Sequence, residues 1–175
     1  MRKKAIILGM ALVAAAIIFL VSNVEYEVKE ETIDIKELVK DYSTSDMGKD
    51  SASITSHDLI VAKSDGSEHS YELPKDEFFV SIAPYLNETH PCSLHNLTGC
   101  QGEMANEEFA VYIEDEEGNA VVDEVMKSQD NGFIDLWIPR DQTYKISIAY
   151  KGKKADSTIS SFKGDDTCIT TMQLS

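Results

Sequence analysis

From Ile54 to the C-terminus the chain runs in short apolar or alternating stretches, each closed by turn chemistry after about ten residues, a rhythm that leaves little room for helices. Leu59 to Ala62 reads as one arm of a hairpin, Ser64, Asp65 and Gly66 as its turn, and His69 to Leu73 as the return before Pro74. Phe78, Phe79, Val80, Ile82 and Ala83 form a nearly continuous apolar run, which predicts a strand covered on both faces. Further on, Phe109, Val111 and Ile113 alternate with Ala110 and Tyr112, and Glu117, Gly118 and Asn119 turn the chain into Val121 and Val122. Asn131 and Gly132 turn it again before Phe133, Ile134, Leu136, Trp137 and Ile138, with Pro139 as the stop. Tyr144, Ile146, Ile148 and Tyr150 keep period two, Lys151 and Gly152 turn, and Ile159 and Phe162 follow. Cys168, Thr170 and Met172 share one face of a last strand. Together these predict an antiparallel β-sandwich.

Upstream the pattern changes. Ile33, Ile35, Leu38, Val39 and Tyr42 make a stripe near helical spacing, predicting one amphipathic helix from Thr32 to Tyr42 with Thr32 as N-cap. Ser43 to Ser53 is rich in Ser, Asp, Gly and Lys and reads as a linker. The fold class expected is α+β, predominantly antiparallel β. The predicted order is a helix-plus-strand domain over 24–86, a Cys/His metal-binding loop over 87–105 and a β-sandwich domain over 106–175.

Residues 1–23 stand apart as a signal peptide or N-terminal membrane anchor. Arg2, Lys3 and Lys4 precede seventeen apolar or small residues, Ala5 to Val21. Signal cores run about 7 to 15 residues and spanning helices about 17 to 25, so length falls at the boundary. Cutting after Ala14 to Ala16 would leave Ile17 to Val21 as an apolar new terminus, which favours an uncleaved anchor with its basic end in the cytoplasm. Either reading exports the rest, to the periplasm or the outer face of the membrane.

The net charge of −15 becomes more negative still once those three basic residues are set aside, so nucleic acid is excluded as a partner. Export also puts three cysteines where disulfides form, and an odd number leaves at least one thiol to be explained. Two of them flank a histidine: Cys92, His95 and Cys100 in the run HPCSLHNLTGCQGE. The third, Cys168, lies 68 residues beyond Cys100 and joins them only if the fold returns the tail to the loop. A structural Cys92–Cys100 disulfide would stabilise by about 2.6 kcal/mol through its short ring, but would account for neither His95 nor Cys168. A Cys3His set suits Cu(I) or Zn(II), and spacing alone does not choose between them.

The surrounding pattern carries a resemblance. His90, Pro91, Cys92, His95, Asn96, Thr98, Cys100, Gln101, Gly102 and Glu103, placed after Ala83, Pro84 and Tyr85 and followed by Cys168, resemble the CueP family of exported copper-binding proteins from about Phe78 onward. The resemblance implies that Cys92, Cys100, Cys168 and His95 hold copper as Cu(I), with zinc as the alternative ion. It also implies copper resistance, thiol-driven reduction of Cu(II), and passage of copper to other exported proteins.

Neighbouring candidates weigh less. Pro91 biases His90 to an extended backbone that would aim its ring away from the pocket, and Met104 reads as core filler. His57 and His69 read as surface histidines. Asn96 and Thr98 are expected to fold the loop through side-chain to backbone hydrogen bonds, with Gly99 supplying an unusual dihedral. Two other functions compete: a thiol-disulfide oxidoreductase, which lacks its C-x-x-C at a helix start, and a disulfide-stabilised sandwich that serves as an interaction module. No Gly-x-Ser-x-Gly, phosphate loop or zincin motif occurs.

Overall fold

Phe78, Val80 and Ile82 turn to one face of their strand while Phe79 and Ser81 turn to the other, and all five are buried. A strand covered in this way must lie in a middle layer, as its apolar run predicts. The computed structural model describes residues 33–44 and 47–175, within which Asp34–Ser175 form one unit. The segment 1–23 and Thr32 lie outside the described residues.

One helix, α1 (Ile35–Thr44), precedes eleven strands among the described residues. These are β1 (Ser51–Ile54), β2 (Asp58–Ala62), β3 (Glu68–Glu72), β4 (Glu77–Ile82), β5 (His95–Asn96), β6 (Glu108–Glu114), β7 (Ala120–Lys127), β8 (Ile134–Pro139), β9 (Thr143–Tyr150), β10 (Lys153–Ser160) and β11 (Cys168–Ile169). They form three sheets, ordered β3-β2-β1-β5, β11-β4-β8 and β10-β9-β6-β7. The fold is α+β and rich in antiparallel strands. Its one helix, among the described residues, is far too short and polar to cross a membrane.

The main core fills the space between the middle sheet and the β10-β9-β6-β7 sheet. Phe78, Val80 and Ile82 of β4 and Ile134, Leu136 and Ile138 of β8 meet Phe109, Val111 and Ile113 of β6 and Tyr144, Ile146 and Ile148 of β9. These are the period-two residues, and burial of each such side chain is worth about 1.5–3 kcal/mol. Met104 joins this core as filler. On the opposite face of the middle sheet, Phe79 and Trp137 pack with Val39 and Tyr42 of α1, Ala52 and Ile54 of β1, and Leu59 and Val61 of β2.

Four local expectations are corrected. The helix starts three residues later than predicted, because Asp34 caps it: its Oδ1 accepts the Lys36 and Glu37 amides at 3.0 and 3.2 Å. The predicted linker takes in all of β1 but Ile54, and β1 sits between β2 and β5; its two serines hide the alternation of buried Ala52 and Ile54. Phe162 lies past the end of β10 and is 43% exposed. The last strand, β11, runs parallel to β4, with Cys168 beside Ser81 and Ile169 beside Ile82, because the tail comes back along the middle layer instead of folding over as a hairpin.

Candidate metal centre

Tight turns come first, since they set the ends of the loop. Leaving β4, the chain turns at Leu86 to Glu88, where the exposed Glu103 carboxylate accepts three backbone amides, from Leu86, Asn87 and Glu88, and the Asn87 side-chain amide. Those donors favour the charged form and hold the Glu103 carboxyl at about 2. At the other end, the Gly102 amide donates to the Asn131 carbonyl at 2.7 Å. Gly102 and Gly132 approach so closely that a Cβ on Gly132 would lie 2.6 Å from the Gly102 carbonyl oxygen, and Gly132 has a φ of +80°.

Between these ends the loop is pinned to β1 and to the tail. His95 and Asn96 form the short strand β5 against Ile54 and Ser53, an edge pairing that no alternation foretells. The Thr167 hydroxyl accepts the His95 amide at 3.1 Å and donates to the Ile54 carbonyl at 2.7 Å. The Ser93 carbonyl in turn accepts the Thr167 and Cys168 amides at 3.0 and 3.3 Å. Thr167 thus locks loop, β1 and tail together through one buried side chain. Nothing in its sequence context marks it.

Asn96 and Thr98 act as the sequence predicts. The Asn96 Oδ1 accepts the Thr98 amide and hydroxyl, and the Cys100 amide donates to the Asn96 carbonyl at 2.9 Å. Gly99 departs from its expectation, since its φ is not positive. Its bare Cα makes room for the Asn96 side chain, whose Oδ1 would lie 3.1 Å from an added Cβ.

The four predicted ligands fall into two overlapping groups, Cys92 with Cys100 and His95 with Cys100 and Cys168. Cys92 Sγ lies 3.7 Å from Cys100 Sγ, and His95 Nδ1 lies 3.4 Å from Cys168 Sγ. The ligand atoms of His95, Cys100 and Cys168 fall within 4.8 Å of one another. The tail sulfur is therefore delivered to the loop, and all three cysteines are free thiols. His90 also belongs here, against expectation: its ligand atom and those of Cys92 and Cys100 lie within 4.8 Å of one another. Pro91 does not carry the ring away. His57 and His69 are exposed, as predicted, and belong to neither group.

Burial grades the site from outside to inside. His90, Cys92 and Cys100 are half-buried, whereas His95 and Cys168 are 0% and 2% exposed. Phe133 packs on His95 with ring centroids 4.6 Å apart, and Phe79 lies 6.3 Å away on another side. This apolar wall pushes the His95 imidazole down to about 4, so it is neutral at physiological pH and able to ligate. The same burial, reinforced by the neighbouring thiols, pushes the Cys168 thiol far above its ordinary range and the Cys92 thiol upward. Metal binding must therefore displace protons from sulfur.

The donor set fits a soft ion. Of the two imidazole nitrogens of His95, Nδ1 reaches only a thiol and Nε2 is buried with no hydrogen-bond partner. An unsatisfied buried nitrogen costs about 1–3 kcal/mol, and neither nitrogen of this imidazole is committed to an oxygen partner that would compete with a metal. Thiolates and imidazole favour Cu(I) over hard cations. None of the cysteines starts a helix, so the oxidoreductase arrangement is absent among the described residues.

Behind the inner ligands, one row crosses the middle sheet. Cys168 is paired with Ser81, and Ser81 with Asp135. The Ser81 hydroxyl donates to Asp135 Oδ1 at 2.5 Å, while Ser43 Oγ and Gln129 Nε2 donate to Oδ2 at 2.6 and 3.0 Å. Sequence reasoning missed this row because Ser81 and Asp135 read as interruptions of apolar runs.

No curated protein sequence matches the chain. A family model described as "Periplasmic copper-binding protein CueP" matches residues 33–173. The crystal structure of S.CueP is similar, with 35% sequence identity and a TM-score of 0.76, covering 81% of this chain and 88% of that one. The match takes in the helix, all three sheets, the loop and the tail cysteine, and the chain belongs to the CueP family.

Proposed function

We propose that this chain is an extracytoplasmic copper-binding protein that sequesters Cu(I) through Cys92, His95, Cys100 and Cys168. It reduces Cu(II) and passes the Cu(I) to other exported proteins, contributing to copper resistance. One observation carries the reading: a sulfur 73 residues down the chain from His95 arrives 3.4 Å from that buried, neutral imidazole of the loop. The family's description as periplasmic and copper-binding supports the same ion and the same side of the membrane.

The reducing step balances on the outer pair. Oxidation of the Cys92 and Cys100 thiols to one disulfide releases two electrons and two protons, and the electrons convert two Cu(II) to two Cu(I). The sulfurs stand 3.7 Å apart and close to about 2.05 Å as the bond forms. His95 and Cys168 remain as a soft pair that retains Cu(I) after the closure.

Anaerobic mixing of the reduced protein with Cu(II) tests this. The reading requires one Cu(I) formed per thiol lost, with the yield cut in Cys92→Ser. Unchanged thiols would remove the reducing role. Failure of the reduced protein to take Cu(I) from a chelator would remove the copper reading altogether.

A further inference from the structure

Two sets of metal-ligating side chains occupy this loop, and they share one member. His90, Cys92 and Cys100 form the first set, half-buried throughout; His95, Cys100 and Cys168 form the second, in which His95 and Cys168 are buried. Within each set the ligand atoms lie no more than 4.8 Å apart. The ring of Phe133, itself fully buried, lies beside both imidazoles, 6.4 Å from His90 and 4.6 Å from His95. Cys100 is the hinge between an outer and an inner group.

We propose that His90, Cys92 and Cys100 form an outer receiving station for Cu(I), from which the ion passes through the Cys100 thiolate to the inner station of His95, Cys100 and Cys168. This rests on the reading that the loop binds copper. The physical reason is desolvation. An ion moving straight from water to His95 and Cys168 would shed its hydration before meeting a ligand, and an unpaired charge in an apolar setting is strongly disfavoured. Half-buried ligands replace water one at a time, and the shared thiolate keeps the ion's charge paired during the transfer. Cys92 completes the four-ligand retaining set once the ion reaches the inner station, so His90 is the one member of the outer station left out of it. Its role is therefore kinetic: it speeds loading and unloading equally and leaves the final affinity unchanged.

Cu(I) exchange on the full-length reduced chain tests the relay. Stopped-flow transfer from Cu(I)–bicinchoninate reads loading, removal by bathocuproine disulfonate reads release, and competition between the two reads affinity. In His90→Ala, loading and release both slow by about tenfold or more, while affinity stays within about threefold of the parent. His90→Gln, which preserves bulk, behaves the same way and covers the case in which the alanine variant misfolds. In a Cys168→Ser background the inner station is broken and Cu(I) rests on the outer one, so His90→Ala now lowers affinity by about tenfold or more, a coupling that a double-mutant cycle isolates.

Parental exchange rates in both His90 variants overturn the relay. So does an affinity loss for His90→Ala that is the same with and without Cys168, which would make His90 a permanent ligand of a single site. Either result leaves the copper reading standing, whereas failure of the parent chain to hold Cu(I) ends both.

Discussion

His95 Nδ1 lies 3.4 Å from Cys168 Sγ, and the two buried residues are 73 positions apart in the chain. The contact depends on the parallel pairing of β11 with β4 and on the Thr167 hydroxyl, which holds the backbones of His95 and Ile54 to the tail.

Loss of either partner should therefore weaken Cu(I) binding more than loss of a supporting residue does. His95→Ala and Cys168→Ser are each expected to lower Cu(I) affinity by more than about 100-fold, beyond the 10- to 100-fold typical of outer-sphere partners. Competition with bathocuproine disulfonate under reducing conditions checks this. Affinity within tenfold of the parent would take the residue out of the ligand set.

Acid should destabilise the copper-free protein through His95. Burial lowers its folded pKa to about 4 from an ordinary value of 6.5. Between those limits the unfolded chain binds the extra proton, so the stability from keeping the imidazole neutral is full above pH 6.5 and is lost as pH falls toward 4. Urea denaturation of the parent and of His95→Gln across that window should show the parent losing stability faster. Parallel pH profiles would refute the assignment, as would an NMR titration of His95 near 6.5.

Ser81 supports the inner station from within the middle sheet. Ser81→Ala removes one of the donors to Asp135 and should cost about 1.5–3 kcal/mol, the usual range for a hydrogen bond to a charged group. Chemical denaturation measures it. No change in midpoint would mean that the Asp135 cluster of Ser43, Ser81 and Gln129 is not structural.

Gly132 fixes the far end of the loop. With φ at +80° and an added Cβ 2.6 Å from the Gly102 carbonyl oxygen, Gly132→Ala strains the backbone and collides with it. A loss of more than about 1 kcal/mol is expected, with Cu(I) affinity reduced as Gly102 shifts the end of the loop that carries Cys100. Gly118→Ala, whose Cβ meets nothing within 4 Å at a similar φ of +85°, separates dihedral strain from collision.

Much of the fold was legible because burial in sheets repeats every second residue. Phe109, Val111 and Ile113, and likewise Tyr144, Ile146 and Ile148, announce their core faces directly. The run at Phe78 to Ala83 announces a strand covered on both sides. β1 was hidden because two of its four positions are serine, and β5 because two residues carry no period at all. His90 was misread because a local rule about the residue before proline restrains the backbone but does not say where the ring goes. Thr167, Ser81 and Asp135 gave no signal, since each acts on a partner distant in sequence.

By itself the sequence determined the chemistry: three thiols and a set of imidazoles, soft donors suited to Cu(I) or Zn(II), on a chain of alternating strands. Only the tertiary structure decided which donors share a pocket and which of them are dry. Ligation needs atoms within a few ångströms of one another, and desolvation needs a wall such as Phe133 and Phe79. Both come from packing between strands far apart in the chain, which no local spacing encodes.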